Sequence, residues 1–243
     1  NFQVTNTVGN TYFQSHGQFN LRGNHGGTTE SMLIANVGGA VELYHDNFKS
    51  FETRSNGITL YGPEGIGCTL HMYSDDGDDD ADKWMLQNNN DSSWYLKNKV
   101  SGSWETNLKA TGDGSVELYH NNVMTVMTSA NGLKVIGPES GDAVIQLNAD
   151  EGDDNADYWS IKSDTSGNFK IGNDSTGSYV NGLTLDGSNN ATFAANITTS
   201  SGALGIGDTT PNYEIHVKGV DGAPQLRLES SDGTGSKRID LLL

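Results

Sequence analysis

Apolar and polar residues alternate along this chain only in short stretches, as at Ile58-Thr59-Leu60, Leu133-Lys134-Val135 and Tyr213-Glu214-Ile215-His216-Val217-Lys218. A period of two predicts strands with one buried face. Turn residues punctuate them. Asn56-Gly57, Asn131-Gly132 and Asn181-Gly182 each offer a pair that adopts positive φ at little cost, and each is read as a turn. Helical periodicity nowhere extends beyond about two turns. The pattern predicts an all-β fold, and turn signals every ~8 to 12 residues suit a β-helix, a β-prism or a string of small sandwiches.

The strand patterns recur. Val41-Glu42-Leu43-Tyr44-His45 returns 75 residues later as Val116-Glu117-Leu118-Tyr119-His120. At the same offset Gly62-Pro63-Glu64 becomes Gly137-Pro138-Glu139, the acidic run Asp75 to Asp82 becomes Asp150 to Asp157, and Trp84 becomes Trp159. Phe19, Leu21, Gly27 and Glu30 stand one period before Trp94, Leu96, Gly102 and Glu105. The chain therefore divides into the end of a preceding unit (1–40), two units (41–115 and 116–190) and a distinct module (191–243), where Ala191-Thr192-Phe193 replaces the expected Val-Glu-Leu. The close, Arg238-Ile239-Asp240-Leu241-Leu242-Leu243, reads as an interrupted strand, so a piece of a longer chain is expected.

A fixed period of this kind marks units that share cores with neighbours or with other chains. Only 34% of residues are hydrophobic, too few for a large private core. With 31 acidic against 14 basic side chains the net charge is −17, which opposes nucleic-acid binding and reads first as solubility alone, with a surface kept unattached until it meets a specific partner as the alternative. Cys68, the single cysteine, has Ala143 at its repeat position and reads as a small core-facing residue without a disulfide. No apolar run approaches the ~18 residues of a membrane helix, and no basic-then-apolar leader pattern opens the sequence.

Aromatic residues add a second regularity. Trp84, Trp94 and Trp104 are spaced by ten, and their counterparts Trp159, Phe169 and Tyr179 keep the spacing and the ring while changing identity. That persistence favours one buried seam of stacked rings over an aromatic platform for sugars.

Among motifs that could carry chemistry, Asp76, Asp78 and Asp80 alternate as the oxygen ligands of a hard cation do. Ala81 and Gln87 stand where an EF-hand loop needs its glycine and its bidentate glutamate, and Lys162 takes the last position of the second copy. Asp75 to Asp82 and Asp150 to Asp157 are read as solvated acidic turns between strands, with calcium the alternative. His45 and His120 share a repeat position, and with Glu42 and Glu117 they read as polar residues around a strand end; no nucleophile-elbow signature accompanies them. An Asp-rich chain supplies carboxylate pairs of the glycosidase type by number alone. The sequons at Asn90, Asn173, Asn190 and Asn196 follow from the Asn, Ser and Thr content, and Gly205-Ile206-Gly207 lacks the rest of a nucleotide loop. No catalytic, cofactor-binding or metal residue is assigned.

The stretch Val116-Glu117-Leu118-Tyr119-His120-Asn121-Asn122, followed by Thr128 and Asn131-Gly132-Leu133-Lys134-Val135, resembles the "VELYYDN…ETT…GVTVTG" segments of tail-fibre proteins of marine, cyanophage-like bacteriophages. The block from Asp150 to Trp159 resembles the segment that alternates with it, and Leu204-Gly205-Ile206-Gly207-Asp208-Thr209-Thr210-Pro211 leading to Ile215-His216-Val217 is similar to the "LGIGTTSP…LHV" signature of phage fibre shafts. The resemblance covers most of residues 30 to 243. It implies a homotrimeric β-structured fibre on a virion, outside the cell, whose partners are its own copies, other virion or baseplate proteins and host surface glycans. It singles out no receptor-contact residue and implies no catalysis, cofactor, nucleic acid or membrane insertion.

A threefold assembly has independent support, since units poor in apolar residues can build a seam when three identical chains each give a stripe. Such symmetry also covers strand edges and suits a kinetically stable appendage. The seam is expected to bury Leu43, Leu118, Val135, Trp84 and Trp159. Two alternatives remain: a calcium-dependent bacterial adhesin module, and a tailspike-type polysaccharide depolymerase with a carboxylate-lined groove.

Overall fold

The computed structural model describes residue 9, residues 14–195 and 197, and the strands Leu204–Ile206 and Ile215–Val217. It is all-β. A first sheet joins β1 (Gln18–His25), β2 (Thr28–Asn36), β3 (Val41–His45), β4 (Phe48–Arg54) and β5 (Gly57–Leu60) in chain order. A second joins β6 (Cys68–Tyr73), β7 (Lys83–Asn88), β8 (Ser93–Asn98), β9 (Glu105–Thr111), β10 (Val116–His120), β11 (Val123–Ser129) and β12 (Gly132–Val135). A third joins β13 (Ala143–Asn148), β14 (Tyr158–Ser163), β15 (Phe169–Asn173), β16 (Val180–Leu185) and β17 (Ala191–Phe193). Every ladder in these sheets is antiparallel. The short strands β18 (Leu204–Ile206) and β19 (Ile215–Val217) pair in parallel.

Local chemistry explains the meander. Asp46-Asn47 and Asn121-Asn122 have positive φ at both residues, the geometry of a two-residue hairpin that matches strand twist. Asn47 and Asn122 then accept the amides of Ser31 (2.9 Å) and Thr106 (2.7 Å), tying each hairpin to the strand before it. Between sheets the chain folds back on itself: a Cβ on Gly62 would lie 2.6 Å from the Gly67 carbonyl carbon, and one on Gly137 2.6 Å from that of Asp142. Only glycine fits there.

The 75-residue offset extends to irregularities. Register shifts fall after Leu21, Leu96 and Ile171, and after Leu43 and Leu118. One shift corrects the sequence reading: Asn181-Gly182 is not a turn but lies inside β16, where Ile171 pairs with Leu183 and Gly172 with Asn181, leaving Gly182 as the extra residue of a bulge. Sheets begin and end near residues 61–67 and 136–142, a different phase of the period from a cut at Val41. The third sheet continues through Phe193, past the change of texture at 191.

Register also sets the faces. One apolar row crosses the second sheet through direct cross-strand pairs: Leu70, Leu86, Leu96, Leu108, Leu118, Val126 and Val135. Its counterparts are Leu21, Leu33, Leu43, Phe51 and Leu60 in the first sheet, and Ile145, Ile161, Ile171, Leu183 and Phe193 in the third. The opposite face of the second sheet carries His71, Lys83, Gln87, Tyr95, Lys97, Lys109 and Glu117.

Among the described residues nothing covers the apolar rows. The substantial contacts outside the paired acidic turns join ladder neighbours or the strands where one sheet hands over to the next. Among the described residues Met85 is the only buried hydrophobic side chain, and it lies on the polar face. Of the expected seam, Leu43 (42% exposed), Leu118 (44%), Trp84 (37%) and Trp159 (47%) stand open, and Val135 is half-buried, as is Cys68. The aromatic seam needs a further correction. Trp84, Trp94, Trp159 and Phe169 share the apolar face, but Trp104 packs near His71 (ring centres 5.7 Å apart) and Tyr179 near Lys162 (4.4 Å), both on the polar face.

Candidate functional site

The polar faces and the turns at their ends hold the chemistry. Each acidic run folds as two single 3₁₀ turns, Asp75–Gly77 and Asp80–Asp82, then Asp150–Gly152 and Asn155–Asp157. Asp76 and Glu151, both at φ 63°, reverse the chain. The Asp79 carboxylate accepts from the Ala81 amide at 3.0 Å, and Asp154 from Ala156 at 2.8 Å. These contacts bring carboxylate oxygens of Asp78, Asp79 and Asp82 within 4.8 Å of one another, and those of Asp153, Asp154 and Asp157 likewise. The converging set is not the alternating one. Asp80 turns instead to Lys99 (2.7 Å) and Lys83 (3.2 Å), which hold its carboxyl below the usual range. Each triad supplies three of the six to eight oxygens calcium takes.

On the polar face of the first sheet, Glu52 is 8% exposed. It accepts from Lys49 at 2.5 Å and Tyr61 at 2.6 Å, and pairs with Arg54 at 2.7 Å. Lys49 foremost, then Tyr61, depress its carboxyl, and Glu52 in turn raises the Lys49 ammonium. Glu42 lies directly across the ladder from Glu52, and Lys49 bridges the two (3.3 Å to Glu42). This carboxylate pair is engaged in ion pairs, the opposite of a free acid facing a free base. Glu42 also accepts from the Tyr44 hydroxyl at 2.6 Å, so its side-chain partners are Lys49 and Tyr44, while His45 sits at the strand end near Asp46 (3.8 Å). In the second unit Glu117 likewise accepts from Ser115 and Tyr119; burial first and Glu117 second push the Tyr119 phenol up to about 12.

The third sheet differs. Gln146, Tyr158, Ser160, Lys162, Asp174 and Tyr179 line a cleft of about 240 Å³ on its polar face. Tyr158 donates its hydroxyl to the Gly152 carbonyl. Tyr179 lies on the Gly172 backbone, where a Cβ would come within 2.8 Å of the phenol oxygen. Asp174 Oδ1, the Tyr179 hydroxyl and Asn181 Oδ1 are covered yet have no hydrogen-bond partner. Such groups cost about 1–3 kcal/mol each when left unmade.

Sequence reasoning placed Tyr179 in a core and overlooked the rest of this cleft. The available signal was divergence between the copies: Met85, Lys97 and Lys99 become Ser160, Gly172 and Asp174, while the apolar row stays apolar. Asn196 lies outside the described residues, as does the segment from Arg238 to Leu243. Compared with known proteins, the chain matches no family model and no curated protein.

Proposed function

We propose that this chain is a segment of an elongated, homotrimeric β-fibre of the phage tail-fibre type, a structural appendage that reaches from a virion and takes part in attachment to a host. The observation that carries this reading is the unpartnered apolar row, present in all three sheets at one offset. Moving a half-exposed leucine or valine out of water contributes on the order of 1 kcal/mol, and threefold symmetry lets one stripe per chain close a continuous seam. Short polar hairpins then form the outer surface, and the net charge of −17 keeps it soluble.

Electron microscopy of the purified chain tests the shape: the reading expects thin rods, and isolated globules would contradict it. A second reading, the calcium-dependent adhesin, draws on the convergence of Asp78, Asp79 and Asp82 with Asp153, Asp154 and Asp157 at matching places. It expects chelator to lower the melting temperature.

A further inference from the structure

We propose that the cleft around Tyr179 on β13–β16 binds a single ring of a neutral saccharide. For its biological meaning this rests on the attachment reading; its geometry rests on the third sheet alone.

The unsatisfied atoms define what must enter. Of the cleft's lining residues, Asp174 Oδ1 only accepts and the Tyr179 hydroxyl both donates and accepts, so the ligand must bring donors and at least one acceptor. Charge narrows the choice. A cation at the cleft would meet Lys162, whose ammonium lies 4.4 Å from the Tyr179 ring centre and is only partly offset by its ion pair with Asp142 at 3.3 Å, and an anion would meet the unpaired Asp174 oxygen. A neutral polyol meets neither repulsion, and its hydroxyls can also serve Gln146 and Ser160. Size agrees, because about 240 Å³ lies below the ~300 Å³ at which drug-sized pockets begin. Tyr158, fixed by its bond to Gly152, brings ring surface to stack against sugar C–H groups, while the Tyr179 ring is engaged by Lys162 and the Gly172 backbone and offers its hydroxyl. Both oxygens are covered in the free chain, so binding requires the Tyr179 side chain to move and uncover them.

The preceding unit shows the same scaffold with this place filled. Met85, 6% exposed, stands at the position of Ser160. Lys97, at the position of Gly172, donates to Gln87 at 2.9 Å. Lys99, at the position of Asp174, pairs with Asp80 at 2.7 Å. These changes, with Trp104 for Tyr179, separate a closed polar face from an open one without altering the sheet.

The test is saturation-transfer NMR and calorimetric titration of the whole chain with glucose, galactose and mannose, with methylammonium and inorganic phosphate as charged probes. Saturable millimolar binding of at least one hexose is expected, weakened tenfold or more by Asp174→Ala and by Tyr179→Phe, which keeps the ring, and unchanged by Lys97→Ala in the preceding unit. No saturable hexose binding, binding of a charged probe alone, or hexose binding that survives both cleft variants would overturn the proposal. Native mass is read on the same sample. A trimer that binds no sugar sinks this site and leaves the fibre standing, whereas a monomer that binds sugar does the reverse.

Discussion

Leu118 stands directly across from Leu108 in the β9–β10 ladder, and 75 residues earlier Leu43 holds the same relation to Leu33 across β2–β3. Leu43 and Leu118 are more than two-fifths exposed in the single chain. A row of such pairs is a half-built core, and most of the expected behaviour follows from what completes it.

Leu118→Glu places a charge in that row, where covering it without a partner carries a large penalty. If the row closes a threefold seam as proposed, sedimentation should show the mass falling, because the substitution would then enter the seam three times. Lys109→Gln, on the opposite face one strand away, should leave the mass unchanged.

Gly172→Ala should lower stability by roughly 1–3 kcal/mol, since the added methyl must displace both the Val180 carbonyl, 2.2 Å away, and the Tyr179 ring, 2.8 Å away. Gly187→Ala, with nothing within 4 Å of the new Cβ, should stay within about 0.5 kcal/mol of the parent. Thermal melts of the two variants side by side make the comparison; equal losses would place Tyr179 elsewhere.

Acid should destabilise the fold through identifiable turns. Lys170 foremost, then Asn168, hold the Asp164 carboxyl well below its ordinary value, and Asn190 depresses Asp186. A carboxyl whose folded value is depressed contributes stability present above its unfolded value of ~3.9 and lost as pH falls through the folded one. Melting temperature should therefore drop below about pH 4, less steeply in Asp164→Asn. At the other limit, Tyr119 is raised to about 12, so its contribution is complete below ~10 and is lost as pH rises from there toward 12. Tyr119→Phe should flatten that alkaline loss.

How much of this could be read from the sequence depends on range. The all-β class was legible because it rests on nearby residues, the period because it needs only the sequence compared with itself, and Asn56-Gly57 and Asn131-Gly132 marked real hairpin ends. Asn181-Gly182 misled because the same pair that suits a turn also suits a bulge, and only the partner strand decides. The two-residue loops Asp46-Asn47 and Asn121-Asn122 went unread for lack of a glycine, although asparagine and aspartate tolerate positive φ. Trp104 and Tyr179 looked like seam members by spacing, yet each stands just before a bulge, at Asn107 and Gly182, that sends it to the other face. The Tyr179 cleft depends on residues from different strands, which no local pattern joins.

The acidic turns give a sharp contrast between readings. With a fibre held by its apolar rows, chelator should leave the melting temperature unmoved, and Asp78→Asn combined with Asp153→Asn should cost no more than about 0.5 kcal/mol, as for other exposed positions. A drop on chelation that the double variant reproduces would favour the calcium adhesin.

The most direct test of the shared apolar row is the native mass of residues 1–243 by light scattering, with and without chelator. The fibre account predicts three times the 26.0 kDa of one chain in both conditions. A stable monomer of 26.0 kDa would contradict it, because the apolar rows would then stand open in water with nothing to cover them.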